Sequence, residues 1–155
     1  MIEHVLTVCI GNICRSPAAQ VLLSRRLPGL SVASAGLQAL DGQGIDAPMQ
    51  ALLQAAGSPP PVHAARTLSS WMLAQSSLVL VMDARQKAHL ERQYPQVRGR
   101  VFRLGEHLNA QGQDIPDPYQ QDPETYARVF AMIEQGVQHW SQRIQALGYN
   151  AQATA

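Results

Sequence analysis

The chain has 155 residues, 46% of them hydrophobic and 15% charged, with a net charge of +1. This length supports one domain around one core, the composition excludes a disordered chain, and the near-neutral charge argues against a general nucleic-acid or membrane-surface binder. No apolar run approaches the ~20 residues of a membrane span, no basic leader precedes Glu3, and Cys9 and Cys14 are too few and too close for a secreted disulfide framework, so the expected compartment is the cytoplasm.

Residues 5–9 read as a buried strand. Residues 17–27 read as a helix opened by Pro17, with Ala19, Leu22, Leu23 and Leu27 on one face. A second short strand is expected at 31–34, ended near Gly36, and residues 37–45 form a Gly-bearing loop. Asp46-Ala47-Pro48 opens another helix, with Met49, Leu52 and Leu53 facing inward and Gly57 as its stop. Pro59, Pro60 and Pro61 forbid helix beyond it. Residues 67–75 read as a short helix capped by Thr67 or Ser69. The unbroken apolar run at 78–82 suits a central parallel strand. A helix at 84–93 ends at Tyr94-Pro95, a fourth strand follows at 101–104, and 109–122 is a polar loop. Asp122-Pro123 caps the last helix. Its stripe of Tyr126, Val129, Phe130, Ile133, Val137, Trp140, Ile144 and Leu147 must lie on a sheet. Trp71 and Trp140 fall on helix faces and are expected in the core. The alternation predicts a single α/β domain over residues 1–150. Its sheet is open, four-stranded and mostly parallel, with helices on both faces and a phosphate-binding loop after the first strand. A disordered tail is expected at 151–155.

The chemistry concentrates in residues 8–17, V-C-I-G-N-I-C-R-S-P. A strand, a tight turn and a helix N-terminus follow one another, and the turn begins with Cys9 and closes with Arg15. Such a loop can aim the backbone N–H groups of Ile10, Gly11, Asn12, Ile13, Cys14, Arg15 and Ser16 at one oxyanion. The following helix adds its positive dipole end. A cysteine there is pressed toward thiolate from its free value of about 8.5, and a thiolate beneath a phosphoryl group is placed to attack phosphorus. Arg15 can grip two phosphoryl oxygens, which Lys cannot. Gly11 is expected to take a conformation that strains other residues, Asn12 to fix the loop, and Ser16 to donate to the Cys9 sulfur. The bland alternative is an inert buried thiol. The company of Gly11, Asn12, Arg15, Ser16 and Pro17 argues against it.

An alkoxide or phenolate leaves poorly without a proton. Asp117, in the stiff run I-P-D-P-Y at 115–119, is the candidate acid, and a plain turn role is its competitor. Cys14 is either filler or a redox partner that pairs with Cys9 on oxidation. The histidines at 4, 63, 89, 107 and 139 do not make a zinc spacing with two cysteines, so no metal is expected. They read as surface or packing residues, with His63 in H-A-A-R the one to watch.

The chain resembles the low-molecular-weight protein tyrosine phosphatases along nearly its whole length. The resemblance rests on C-x5-R-S at 9–16, S-A-G at 34–36, H-x-x-R at 63–66, M-D at 82–83 and D-P-Y at 117–119. S-A-G-L-x-A-L and I-P-D-P-Y make it most similar to the bacterial branch that acts on membrane-associated tyrosine kinases of capsule or exopolysaccharide export. The resemblance implies a phosphotyrosine phosphatase working through a phosphocysteine without cofactor. It assigns Cys9 as nucleophile, Arg15 as phosphoryl clamp, Asp117 as general acid, and Leu40 and Tyr119 as walls for the substrate ring. The implied partner is a tyrosine-phosphorylated protein, with no nucleic acid and no membrane insertion. Leu40 stands where some relatives carry Trp, and Gln120 where animal relatives carry a second Tyr. Arsenate reduction on the same fold would need thiols downstream of Cys14, and there are none. A non-catalytic phosphate-binding module is the remaining alternative.

Overall fold

The structure is a computed structural model that describes residues 1–151. Apart from Ala151, the tail expected at 151–155 lies outside the described residues. The elements run β1 (His4–Cys9), α1 (Arg15–Arg26), β2 (Ser31–Gly36), α2 (Ala47–Ala55), α3 (Ser70–Gln75), β3 (Leu78–Val81), α4 (Ala84–Gln93), a 3-10 turn (Pro95–Val97), β4 (Val101–Arg103) and α5 (Pro123–Leu147).

The four strands form one sheet in the order β2-β1-β3-β4, and every pairing is parallel. Strand side chains alternate between faces. Val5 and Cys9 join Leu78 and Leu80 beneath α1, α2 and α5, packing on Leu23, Met49, Ile133 and Ile144. Leu6 and Val8 join Val79 and Val81 on the other face, under Leu73 of α3 and Leu90 of α4. Both faces are therefore covered, as a parallel sheet requires. The chain leaves β1 to build β2 on one side and returns to build β3 on the other. That reversal opens a crevice at the carboxyl ends of β1 and β3, where ligands bind in such sheets.

Local chemistry explains most element ends. Asp122 accepts from the Thr125 N–H at 2.7 Å, and Asp83 accepts from the Gln86 N–H at 2.7 Å. Each satisfies an N–H that an α-helix leaves without a partner. Helix α1 starts two residues before Pro17, which puts Arg15 and Ser16 in its first turn. Pro17 is tolerated there because first-turn N–H groups have no intrahelical acceptor.

Three expectations are corrected. Trp71 is 55% exposed rather than core, lying beside the Arg66 guanidinium at 6.0 Å; Trp140 is buried as expected. Six residues make α3 too short to bury both faces, so its Trp looks outward. The helix expected from 67 begins at Ser70 because Thr67 is drawn into a bridge with Gly36 and donates to Asp41. Ser69 sits at the cap position without a side-chain bond. Leu147, the last member of the α5 stripe, is 60% exposed rather than buried on the sheet.

Candidate active site

The loop from Cys9 to Ser16 sits at the end of β1, and its polar groups divide cleanly. Its carbonyls point outward into the protein. Ile10 O accepts from the Gln38 N–H at 2.9 Å, Gly11 O from the Leu40 N–H at 3.0 Å, and Ile13 O from the Asp46 N–H at 2.8 Å. Asn12 O lies 2.7 Å from His63 Nε2, and Ser16 O accepts from the Thr7 hydroxyl at 2.8 Å. Among the described residues, no N–H from Gly11 to Ser16 donates to a protein acceptor. A run of free N–H groups at a helix N-terminus is an anion cradle.

The torsional demand falls on a different residue from the one expected. Gly11 has no positive φ, and a Cβ on it would meet only ordinary contacts. Asn12 holds φ +57°, in the left-handed region that Asn tolerates better than most residues. Its side chain is fully buried and satisfied. The fixed donor Arg66 N–H meets Asn12 Oδ1 at 3.0 Å, which sets the amide orientation. Asn12 Nδ2 then donates to Ser16 Oγ at 2.8 Å and to Ser34 Oγ at 3.0 Å. Ser16 Oγ accepts there, so its own proton is free for the Cys9 sulfur 2.9 Å away. Gly36 is fixed by the same packing, since a Cβ on it would lie 2.5 Å from Ile10 O.

Arg15 is 4% exposed and donates from Nη1 to Ile115 O at 2.8 Å. Its Nη2 lies 3.7 Å from Asp117 Oδ2, and that carboxylate is half exposed. Ile115 is anchored by its N–H donating to Met82 O at 2.8 Å. The 109–122 loop is thus tied to the end of β3 and carries Asp117 onto Arg15. Asp117 also accepts from the Tyr119 N–H at 3.1 Å, so its turn role and its place at the site coexist. Cys9, Ile10, Gly11, Ile13, Cys14, Arg15, Leu40, Asp117 and Tyr119 line one mouth of ≈ 180 Å³. Ile10, Leu40 and Tyr119 are exposed at its rim.

The two thiols are chemically unlike. Both are free and buried, and Cys9 has the Ser16 hydroxyl as partner. Burial, followed by the charge of Asp46, pushes the Cys14 thiol far above its usual range, so it stays protonated. Asp46 is the residue the sequence reading missed. It occupies the cap position of α2, but its side chain makes no cap bond. It accepts from the Tyr126 hydroxyl at 2.5 Å instead, and among the described residues Oδ1 has no partner. Burial raises its pKa above the ordinary carboxylate value, with the Tyr126 bond opposing. Burial and Asp46 together push the Tyr126 phenol up in turn. His63, Ser34 and Arg66 also belong to the loop's support; H-x-x-R and S-A-G were the sequence signals for them. Among the described residues, no three His, Cys, Asp or Glu side chains converge to hold a metal, and no helix is long and apolar enough to cross a membrane.

A family model described as low molecular weight phosphotyrosine protein phosphatase matches residues 4–150. The chain belongs to this family. It is 43% identical over 148 residues to the probable low molecular weight protein-tyrosine-phosphatase EpsP of Ralstonia nicotianae, covering 96% of this chain and all of that one. The crystal structure of Erwinia amylovora tyrosine phosphatase amsI superposes with a TM-score of 0.88 at 35% identity, over 92% of this chain and 93% of the other. Vibrio vulnificus Wzb in complex with benzylphosphonate superposes at 0.86 with 32% identity, over 91% and 98% of the two chains.

Proposed function

We propose that residues 1–150 form a catalytic domain that hydrolyses phosphotyrosine through a phosphocysteine. The phosphoryl group sits on the N–H groups of residues 10–16 with two oxygens on the Arg15 fork. The Cys9 thiolate attacks phosphorus in line, and the bond from phosphorus to the phenolic oxygen breaks. Asp117 gives its proton to the departing phenolate. In the second half, the Asp117 carboxylate takes a proton from water as that water attacks phosphorus. The sulfur–phosphorus bond breaks, Ser16 donates to the returning thiolate, and phosphate leaves. No step needs a metal or cofactor. Leu40 and Tyr119 flank the ring.

The observation that carries this reading is the division of the loop: carbonyls bonded outward, N–H groups free, around one sulfur and one buried guanidinium. The relatives named EpsP and Wzb support a branch-specific substrate. We take it to be a tyrosine-phosphorylated, membrane-associated kinase of polysaccharide export, met in the cytoplasm, with no nucleic acid involved and no membrane insertion. Cys14 serves as redox partner. Peroxide converts the Cys9 thiolate to sulfenic acid, and the Cys14 thiol condenses with it, forming the disulfide and releasing water. Reversible loss of both free thiols under peroxide checks this.

The principal test is Cys9→Ser. It should abolish turnover of phosphotyrosine peptides while still binding vanadate, and it should hold a tyrosine-phosphorylated kinase from lysate. Undiminished turnover by that variant would remove the nucleophile and the scheme with it.

A further inference from the structure

Beside the mouth lies a second groove of ≈ 290 Å³ lined by Ile10, Leu37, Gln38, Arg85, Gln86 and His89. Ile10 and Gln38 belong to both hollows, so the groove continues the mouth along one flank. Its position follows from the fold. Asp83 caps α4 just beyond β3, which brings the first turns of α4 to the same sheet edge as the Cys9 loop. Arg85 and His89 are four apart on α4 and therefore share a face. Both are exposed.

The charge of this flank is one-sided. Among the described residues, no acidic side chain lines the groove. Among the described residues, Arg85 makes no ion pair. The nearest carboxylate in sequence, Asp83, is engaged by the Gln86 N–H. Another hollow that adjoins the mouth differs: Asp83, Asp114 and Asp117 line it along with Arg15 and Arg128. A peptide whose phosphotyrosine occupies the mouth can run along either hollow. Its backbone carries no charge to distinguish them, but its neighbouring side chains do.

We propose that the Arg85–His89 groove is a specificity subsite that receives a carboxylate side chain, Asp or Glu, flanking the phosphotyrosine of the substrate. The guanidinium fork of Arg85 is matched to a carboxylate, and nothing on the groove wall competes for it. The subsite fixes the direction of the bound peptide as well as its composition. It acts on binding, because it lies away from the sulfur and from Asp117. The proposal rests on the phosphotyrosine reading given above.

The test is a series of phosphotyrosine peptides in which a single Glu, or Gln as its neutral match, is moved through the positions on either side. The activity of wild type, Arg85→Ala and Arg85→Glu is compared across the series. Para-nitrophenyl phosphate, which has nothing to place in the groove, reports the centre alone. Wild type should favour Glu over Gln about two- to five-fold in kcat/KM on one side only, the range of one exposed ion pair. The gain should lie in KM and shrink with added salt. Arg85→Ala should erase it, and Arg85→Glu should reverse it, so that Gln is favoured over Glu at that position. Equal turnover of Glu and Gln peptides by wild type, or a Glu preference that survives Arg85→Ala, overturns the subsite alone. Hydrolysis of para-nitrophenyl phosphate with no hydrolysis of any phosphotyrosine peptide overturns the phosphotyrosine reading and the subsite with it.

Discussion

Asn12→Ala tests how the phosphate loop is held. The substitution removes three side-chain hydrogen bonds, to Ser16 Oγ, Ser34 Oγ and the Arg66 N–H. At roughly 1 kcal/mol net each, their loss amounts to about 3 kcal/mol. The φ of +57° adds roughly 1 kcal/mol for an alanine forced into left-handed backbone. The expected loss is therefore about 4 kcal/mol, a large share of the 5–15 kcal/mol typical of a domain. Asn12→Gly loses the same bonds without the torsional strain, so it should be less destabilised than Asn12→Ala by up to about 1 kcal/mol. Urea denaturation of all three proteins, with slopes compared to confirm a common unfolding reaction, gives both differences. Activity of the folded variants on para-nitrophenyl phosphate should also fall, because Ser16 loses the partner that turns its proton toward sulfur. An Asn12→Ala protein within about 1 kcal/mol of wild type would refute the reasoning. So would a glycine variant clearly worse than the alanine one.

Two further outcomes are expected. Asp117→Asn should slow phosphotyrosine hydrolysis by roughly 10²–10⁴-fold and the better-leaving para-nitrophenyl phosphate far less; equal slowing would take Asp117 out of the acid role. Asp46 predicts a pH effect on stability. Its folded pKa is raised above 3.8, chiefly by burial, so the folded state binds more protons than the unfolded one between the two values. The stabilising contribution of its protonated form is full below 3.8 and is lost as pH rises through the folded value. Wild type should therefore lose stability relative to Asp46→Asn as pH is raised from about 4 to neutrality. A difference between the two proteins that stays flat across that range would place the Asp46 carboxyl in an ordinary aqueous environment.

Much of the site was legible in the chain because it is local. Cys9, Arg15 and Ser16 lie within one strand–turn–helix, and the offset alone brings the sulfur, the guanidinium and the hydroxyl to one point. The apolar run of β3 and the stripe of α5 announced a parallel sheet for the same reason: their periods are properties of short segments. The misplacement of strain onto Gly11 shows where such reasoning stops. Residue type favoured glycine, but the left-handed position went to Asn12, because only its side chain can reach Arg66, Ser34 and Ser16 at once.

From the sequence alone came the alternating α/β pattern and a cysteine–arginine loop at a helix N-terminus, since both depend on neighbours in the chain. Tertiary structure decided the rest. The Arg15 guanidinium bonds to Ile115 O, 100 residues away, because the Ile115 N–H is held by the end of β3. Asp46 meets Tyr126 across 80 residues because α2 and α5 pack on the same face of the sheet. No local offset encodes those contacts; they are fixed when the two covered faces of the sheet exclude water and most buried polar groups must find partners within the fold.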